Sequence, residues 1–128
     1  MPRVVHFECH ADDPERVAAF YSEVFGWRIG RTADPHYLLL SSGDAGEPGI
    51  DGAVMPRIAG SSFTNAIGVP SIDDCMLKVI RAGGEVMMPG RVVPGLGRIA
   101  YCADAEGNVF GLLERETGPG EAGSTGSG

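Results

Sequence analysis

Positive charge is scarce in this sequence: ten Lys and Arg stand against seventeen Asp and Glu, for a formal net charge of -7 at pH 7. That deficit removes the attraction on which nonspecific binding to phosphate backbones and anionic lipid depends, so neither nucleic acid nor a membrane surface is an expected partner. Cysteine is also scarce. Cys9, Cys75 and Cys102 are three in number and lack CxxC spacing, which argues against a disulfide framework or zinc knuckle and for buried reduced thiols. No apolar run approaches the length needed to span a bilayer, and the opening Met-Pro-Arg-Val-Val-His lacks the apolar core of a secretory signal. The expected location is cytoplasmic.

Against these shortages, hydrophobic residues make up 43% and charged residues 21% of the 128 positions, the balance of an ordinary folded domain. Glycine and proline are plentiful, at twenty and nine, and they punctuate the chain at the short intervals expected between short strands.

The clearest helix signal begins at Asp13, an N-cap followed by Pro14 at the first helical position. Val17, Phe20, Tyr21, Val24 and Phe25 then form an apolar stripe, and Gly26 supplies the stop, which predicts a helix over 14–25. A second signal repeats the plan. Ser71 caps, Asp74 sits at capping-box spacing, and Ile72, Cys75, Met76, Val79 and Ile80 recur at helical intervals before Gly83 and Gly84. An offset of 58 positions superposes cap, stripe and stop, pairing Asp13 with Ser71 and Gly26 with Gly84, so the chain is an internal duplication.

An apolar strand candidate precedes each helix, at 4–10 and 63–69, and three shorter ones follow it. These fall at about 27–31, 36–41 and 50–55 in the first half and at 85–92, 98–103 and 108–114 in the second. The expected fold is α+β: two tandem β-α-β-β-β modules, about 3–57 and 62–116, in a single domain over 1–117. Residues 118–128 read as a flexible Gly-rich tail.

Two segments carry a resemblance. The opening Val-His-Phe-Glu-Cys-His-Ala-Asp-Asp-Pro-Glu-Arg-Val-Ala-Ala-Phe-Tyr-Ser-Glu-Val-Phe-Gly-Trp and the closing Asp104-Ala105-Glu106-Gly107-Asn108-Val109-Phe110-Gly111-Leu112, in that order across a duplicated chain, resemble the vicinal oxygen chelate superfamily. That superfamily includes glyoxalase I, bleomycin-resistance proteins and extradiol dioxygenases. The resemblance covers residues 4–116 and implies a mainly antiparallel sheet curled around a cleft, commonly with a divalent metal, in a chain that often dimerises. It places His6 at the first ligand position. Thr64 occupies the matching place in the second module, and Gly52 and Gly111 the last-strand places where carboxylates are expected. Thr is a poor ligand for a borderline metal and Gly offers no side chain, so His6 is the only match to a ligand position and a complete metal site is not expected. The cofactor is left open: none is the first expectation and a divalent metal the second.

Period-two alternation puts His6, Glu8 and His10 on one face of the first strand, with Val5, Phe7 and Cys9 on the other, against the helices. His6 and His10 lie roughly 13 Å apart along such a strand, too far to share an ion. Tyr101, Trp27 and Tyr37 are candidate aromatic walls, although Trp27 after a helix stop also reads as a core anchor. Arg57, Arg91 and Arg98 can meet an anion or belong to a solvated surface. The leading reading is a cleft that binds a small organic molecule through His6, Glu8 and Tyr101 without the four-ligand metal site. A metal-dependent lyase, isomerase or dioxygenase is the alternative, and an interaction module with a vestigial cleft is the second alternative. A homodimer is expected under each.

Overall fold

The computed structural model describes residues 2–58 and 60–116; the tail at 118–128 lies outside them. Its elements run β1 (Arg3–Ala11), α1 (Pro14–Phe25), β2 (Arg28–Arg31), β3 (Leu38–Ser41), β4 (Gly52–Pro56), β5 (Phe63–Gly68), α2 (Ile72–Arg81), β6 (Glu85–Val93), β7 (Gly97–Ala103) and β8 (Val109–Arg115). Each half therefore has the β-α-β-β-β order that the duplication predicts.

Local chemistry sets the helix ends. The Asp13 side chain accepts a hydrogen bond from the Arg16 N–H at 3.2 Å, and Pro14, which has no N–H to leave unsatisfied, opens α1. Gly26 closes it at φ 74°, in the left-handed region where a Cβ is unfavourable, and its N–H reaches the Ser22 carbonyl. In α2 the Ser71 hydroxyl accepts from the Asp74 N–H at 3.1 Å. Asp73 and Asp74 in the first turn, with Lys78 and Arg81 in the last, complement the helix dipole. The second helix ends one residue before the predicted stop, with Ala82 as its cap.

All eight strands join one sheet in the order β2-β3-β4-β1-β5-β8-β7-β6. Within each half the first strand pairs in parallel with the last, β1 with β4 and β5 with β8, and the remaining neighbours are antiparallel. The halves meet at the β1–β5 seam. The repeat extends to the register: Glu8 stands beside Ala53 and, 58 positions later, Ala66 stands beside Gly111. A shift of register between Val4 and His6 marks a bulge at the start of β1.

The two faces are built differently. On the outer face, α1 lies over β1 to β4 and α2 over β6 to β8. Ala18 of α1 packs with Cys9, Leu38, Leu40 and Val54 of the sheet, and Ile72 of α2 with Ala100, Cys102 and Leu112. The inner face carries Tyr37, Ala53 and Met55 from the first half and Ala66, Val93, Ile99, Tyr101 and Leu113 from the second. Tyr37, just before β3, and Tyr101, on β7, pack in one cluster although their strands stand second and seventh in the order, a consequence of the sheet curling on itself.

Candidate functional site

The alternation of β1 places His6, Glu8 and His10 on the inner face, and all three are buried there. Phe7 and Cys9 face α1 as expected, whereas Val5, beside the bulge, packs against the inner cluster instead. A carboxylate without solvent needs hydrogen-bond donors, and Glu8 has two from distant parts of the chain. The Tyr37 hydroxyl, just before β3, donates to its Oε2, and the Tyr101 hydroxyl, on β7, donates to its Oε1 at 2.5 Å. Tyr101 also contacts the Met55 sulfur at 3.0 Å.

His6 stands behind this pair, with Nε2 2.9 Å from the Tyr37 hydroxyl. Because the Tyr37 proton is given to Glu8, His6 donates here, which assigns the proton of its neutral ring to Nε2. His10 continues the polar row across the seam. Its Nδ1 accepts from the Ile58 N–H at 3.2 Å, which assigns its proton to Nε2, 3.2 Å from the Thr64 hydroxyl. The sequence-predicted contacts His6, Glu8 and Tyr101 are thus brought together, with Tyr37 as the fourth member. Trp27 is elsewhere, stacked on Tyr21 on the helix side, and His36 is exposed, with its N–H bonded to Asp34.

Burial sets the protonation states. It raises the pKa of Glu8, opposed by the hydrogen bonds from Tyr101 and Tyr37 and by the charge of Arg91. It lowers that of His6 to about 4, aided by the Arg115 charge and opposed by Asp51, so the imidazole is neutral at pH 7. Burial and the neighbouring Glu8 carboxylate raise both phenols, which stay protonated donors. The result is a buried carboxyl group that accepts hydrogen bonds from two protonated phenols, with a neutral imidazole beside them.

The same geometry corrects one position of the expected ligand set. Gly52 pairs with Phe7 and faces α1: a Cβ built on it falls 2.5 Å from the Phe7 ring. Ala53 takes the inner-face place beside Glu8, as Gly111 does beside Ala66. His6, Thr64, Ala53 and Gly111 do not fit a four-ligand divalent centre, because two lack any donor atom and Thr is a poor one. Neighbouring carboxylates are committed elsewhere, Glu114 to the Ile72 N–H at the start of α2 and Asp51 to the Ser42 N–H. Among the described residues, no three of His, Cys, Asp and Glu gather closely enough to hold a metal ion.

Three groups around the centre have partners that the sequence does not reveal. Tyr37 was visible only as a candidate aromatic wall, and Thr64 only as a replaced ligand. Arg91, on β6, reaches Asp34 in the β2–β3 connection, Nη1 to Oδ2 at 2.9 Å. Nothing in the local pattern singles it out from the other arginines, since its partner lies in the other half.

Known proteins show the same architecture. A family model described as bleomycin resistance protein-like N-terminal matches residues 3–43. CFP32 of Mycobacterium tuberculosis, whose assignment as a glyoxylase is provisional, is 29% identical over 110 residues, 84% of this chain and 42% of that protein. The anthracycline biosynthesis protein DnrV of Streptomyces peucetius is 30% identical over 145 residues, covering 94% of this chain and 51% of that one. The chain thus spans about half the length of these relatives, or less. Among solved structures, hypothetical protein BH1468 from Bacillus halodurans C-125 superposes with a TM-score of 0.65 at 13% identity, over 91% of this chain and 96% of that one. A Streptomyces coelicolor methylmalonyl-CoA epimerase variant in complex with 2-nitronate-propionyl-CoA gives 0.65 at 17% identity, over 90% and 98%. At these identities the two structures bear on the fold alone.

Proposed function

We propose that the chain, which resembles the vicinal oxygen chelate superfamily in sequence and in fold, binds a small oxygen-bearing organic molecule on the inner face of its sheet, without the four-ligand metal centre. One observation carries this reading: the Glu8 carboxylate, 0% exposed, is held by phenols from both halves, within a short buried polar row flanked by the apolar inner cluster. Two neutral hydroxyl donors and one acceptor converging at a buried point can orient a carbonyl or hydroxyl oxygen, as a few placed polar groups do in ligand pockets. Entry of a ligand requires the covering side chains to part, with the phenols turning from Glu8 to the ligand oxygen.

The test is a screen of small hydroxy and oxo compounds by ligand-observed NMR, on the wild type and on Tyr101→Phe and Glu8→Gln. These replacements keep shape, whereas alanine at such buried positions would leave a cavity and confuse binding with folding. Binding weakened by about tenfold or more in folded variants supports the reading, in line with about 1.5 kcal/mol for a lost hydrogen bond. Unchanged binding refutes it.

A second reading, an isomerase or lyase, is favoured by the raised pKa of Glu8, which brings a carboxyl group nearer to the range useful for proton transfer. Its readout is exchange of a ligand C–H for deuterium in D2O, catalysed by the wild type and lost in Glu8→Gln.

A further inference from the structure

Arg91 stands where it can decide which ligands the inner face accepts. It pairs with Ile99 in the antiparallel β6–β7 ladder, and directly paired residues share a face of the sheet. Ile99 belongs to the inner cluster. The guanidinium therefore extends over that side, where its positive charge is felt by Glu8, Tyr37 and Tyr101 alike. Its partner Asp34 lies in the other half, and the pair bridges the two outer regions of the curled sheet.

Two features make this bridge more than a surface ion pair. Asp34 is tied to a donor of the site: its carbonyl accepts from the Tyr37 N–H at 3.1 Å, and Thr32 bonds both to Asp34 and to the Tyr37 carbonyl. Movement of Asp34 is thereby transmitted to the residue that holds Glu8 and His6. Arg91 also has donors to spare. Asp34 takes Nη1, and among the described residues this is the only side-chain hydrogen bond that Arg91 makes, leaving most of its five N–H groups unspent. The side chains are 38% and 18% exposed, so the pair is cheap to separate compared with a fully buried one.

Resting on the reading of the inner face as the ligand site, we propose that the ligand is a small organic anion and that Arg91 is its anchor. The ligand's carboxylate, or a similarly planar anionic group, replaces Asp34 on the guanidinium, where bidentate geometry is available to it. Asp34 is the internal competitor that holds the site closed until the anion arrives. Its release loosens the Thr32–Tyr37 turn and opens the way to Glu8, against which the ligand's second oxygen is set.

The experiment compares glycolate, mandelate and 4-hydroxybenzoate, each against its primary amide, by ligand-observed NMR titration of the full chain. The wild type, Asp34→Asn, Arg91→Gln and Tyr101→Phe are titrated, with folding checked by circular dichroism. Expected is at least about tenfold preference for an acid over its amide, tightened several-fold in Asp34→Asn, abolished in Arg91→Gln, and with both forms weakened in Tyr101→Phe. If acid and amide bind alike and Arg91→Gln changes neither, while Tyr101→Phe weakens both, the anchor is overturned and the site stands. If no compound binds to the wild type or to Asp34→Asn, or if binding ignores Tyr101→Phe, the site reading falls and the anchor with it.

Discussion

Glu8 and Tyr101 lie 93 positions apart and in different halves of the duplication, yet the phenol of one donates to the carboxylate of the other across the inner face. The bond is a tie between modules as well as part of a site. Removing its donor leaves a buried oxygen short of a partner, so Tyr101→Phe is expected to cost about 1–3 kcal/mol in urea unfolding and to raise the Glu8 pKa further. Because Glu8→Gln disrupts the same contact, the double variant should cost less than the sum of the singles. Strict additivity would show that the two groups are not coupled.

Tyr37→Phe is expected to do more than Tyr101→Phe, since the Tyr37 hydroxyl both donates to Glu8 and accepts from His6. Its loss orphans one group on each side. The His6 Nε2 proton, followed by 15N NMR, should shift strongly in Tyr37→Phe and little in Tyr101→Phe.

Stability should depend on pH through His6. Its folded pKa of about 4 lies below the ordinary 6.5, so between these values the unfolded chain binds more protons than the native one. Stability from this source rises from pH 4 to 6.5, is complete above that, and is lost as pH falls, by up to about 3 kcal/mol. Lowered His10 acts in the same sense. Glu8, raised by burial, acts oppositely: its contribution is greatest at low pH and is lost as pH rises from 4.5 through its folded value. The groups facing His6, namely Tyr37, Glu8, Arg115 and Asp51, are unchanged in His6→Gln, which keeps an amide donor for Tyr37. Urea unfolding between pH 4.5 and 7 should therefore give a shallower rise for His6→Gln than for the wild type. An identical rise would refute the assignment.

The architecture was legible because it rests on local signals used twice. Caps, stripes and stops at Asp13, Gly26 and Ser71 predict both helices, and the 58-residue offset reproduces even the register of Glu8 beside Ala53 and Ala66 beside Gly111. Alternation alone likewise put His6, Glu8 and His10 on one face. What stayed hidden is what only the curl of the sheet creates: Tyr37 against Glu8, and Asp34 against Arg91, are contacts between segments 29 and 57 positions apart. Gly52 was misplaced for a simpler reason. A glycine in a short strand has no side chain to betray its face, and the ladder puts it one position from the inner-face residue, Ala53.

The donor set makes a prediction about metals. A divalent ion bound by the native state alone at a hundred times its Kd would stabilise it by about 2.7 kcal/mol, a shift of several degrees in Tm. With His6 committed to Tyr37 and with Ala53 and Gly111 in the strand positions, Zn2+, Mn2+, Ni2+ and Mg2+ should each leave the Tm within about 1 °C, a small fraction of that shift. Stabilisation by one of them that disappears in His6→Ala would instead establish a relocated site.

The two glycines at the final strands should respond oppositely to the same substitution. At Gly52 a Cβ meets three atoms of the Phe7 ring at 2.5–2.6 Å, and that ring is wedged against Trp27, its centroid 5.9 Å away. Gly52→Ala must push Phe7 or bend β4, at about 1–3 kcal/mol, the usual cost of overpacking. At Gly111 the nearest atoms, on Ala66 and Tyr101, stand at 3.5 Å, which is ordinary contact. Gly111→Ala should accordingly be neutral or slightly stabilising, because it restricts the unfolded chain at little native cost. Phe7→Leu should recover part of the loss in Gly52→Ala while giving Gly111→Ala nothing, since Phe7 faces the helix and Gly111 the inner side. Equal losses at the two glycines in thermal unfolding would mean that the faces of β4 and β8 are not as described.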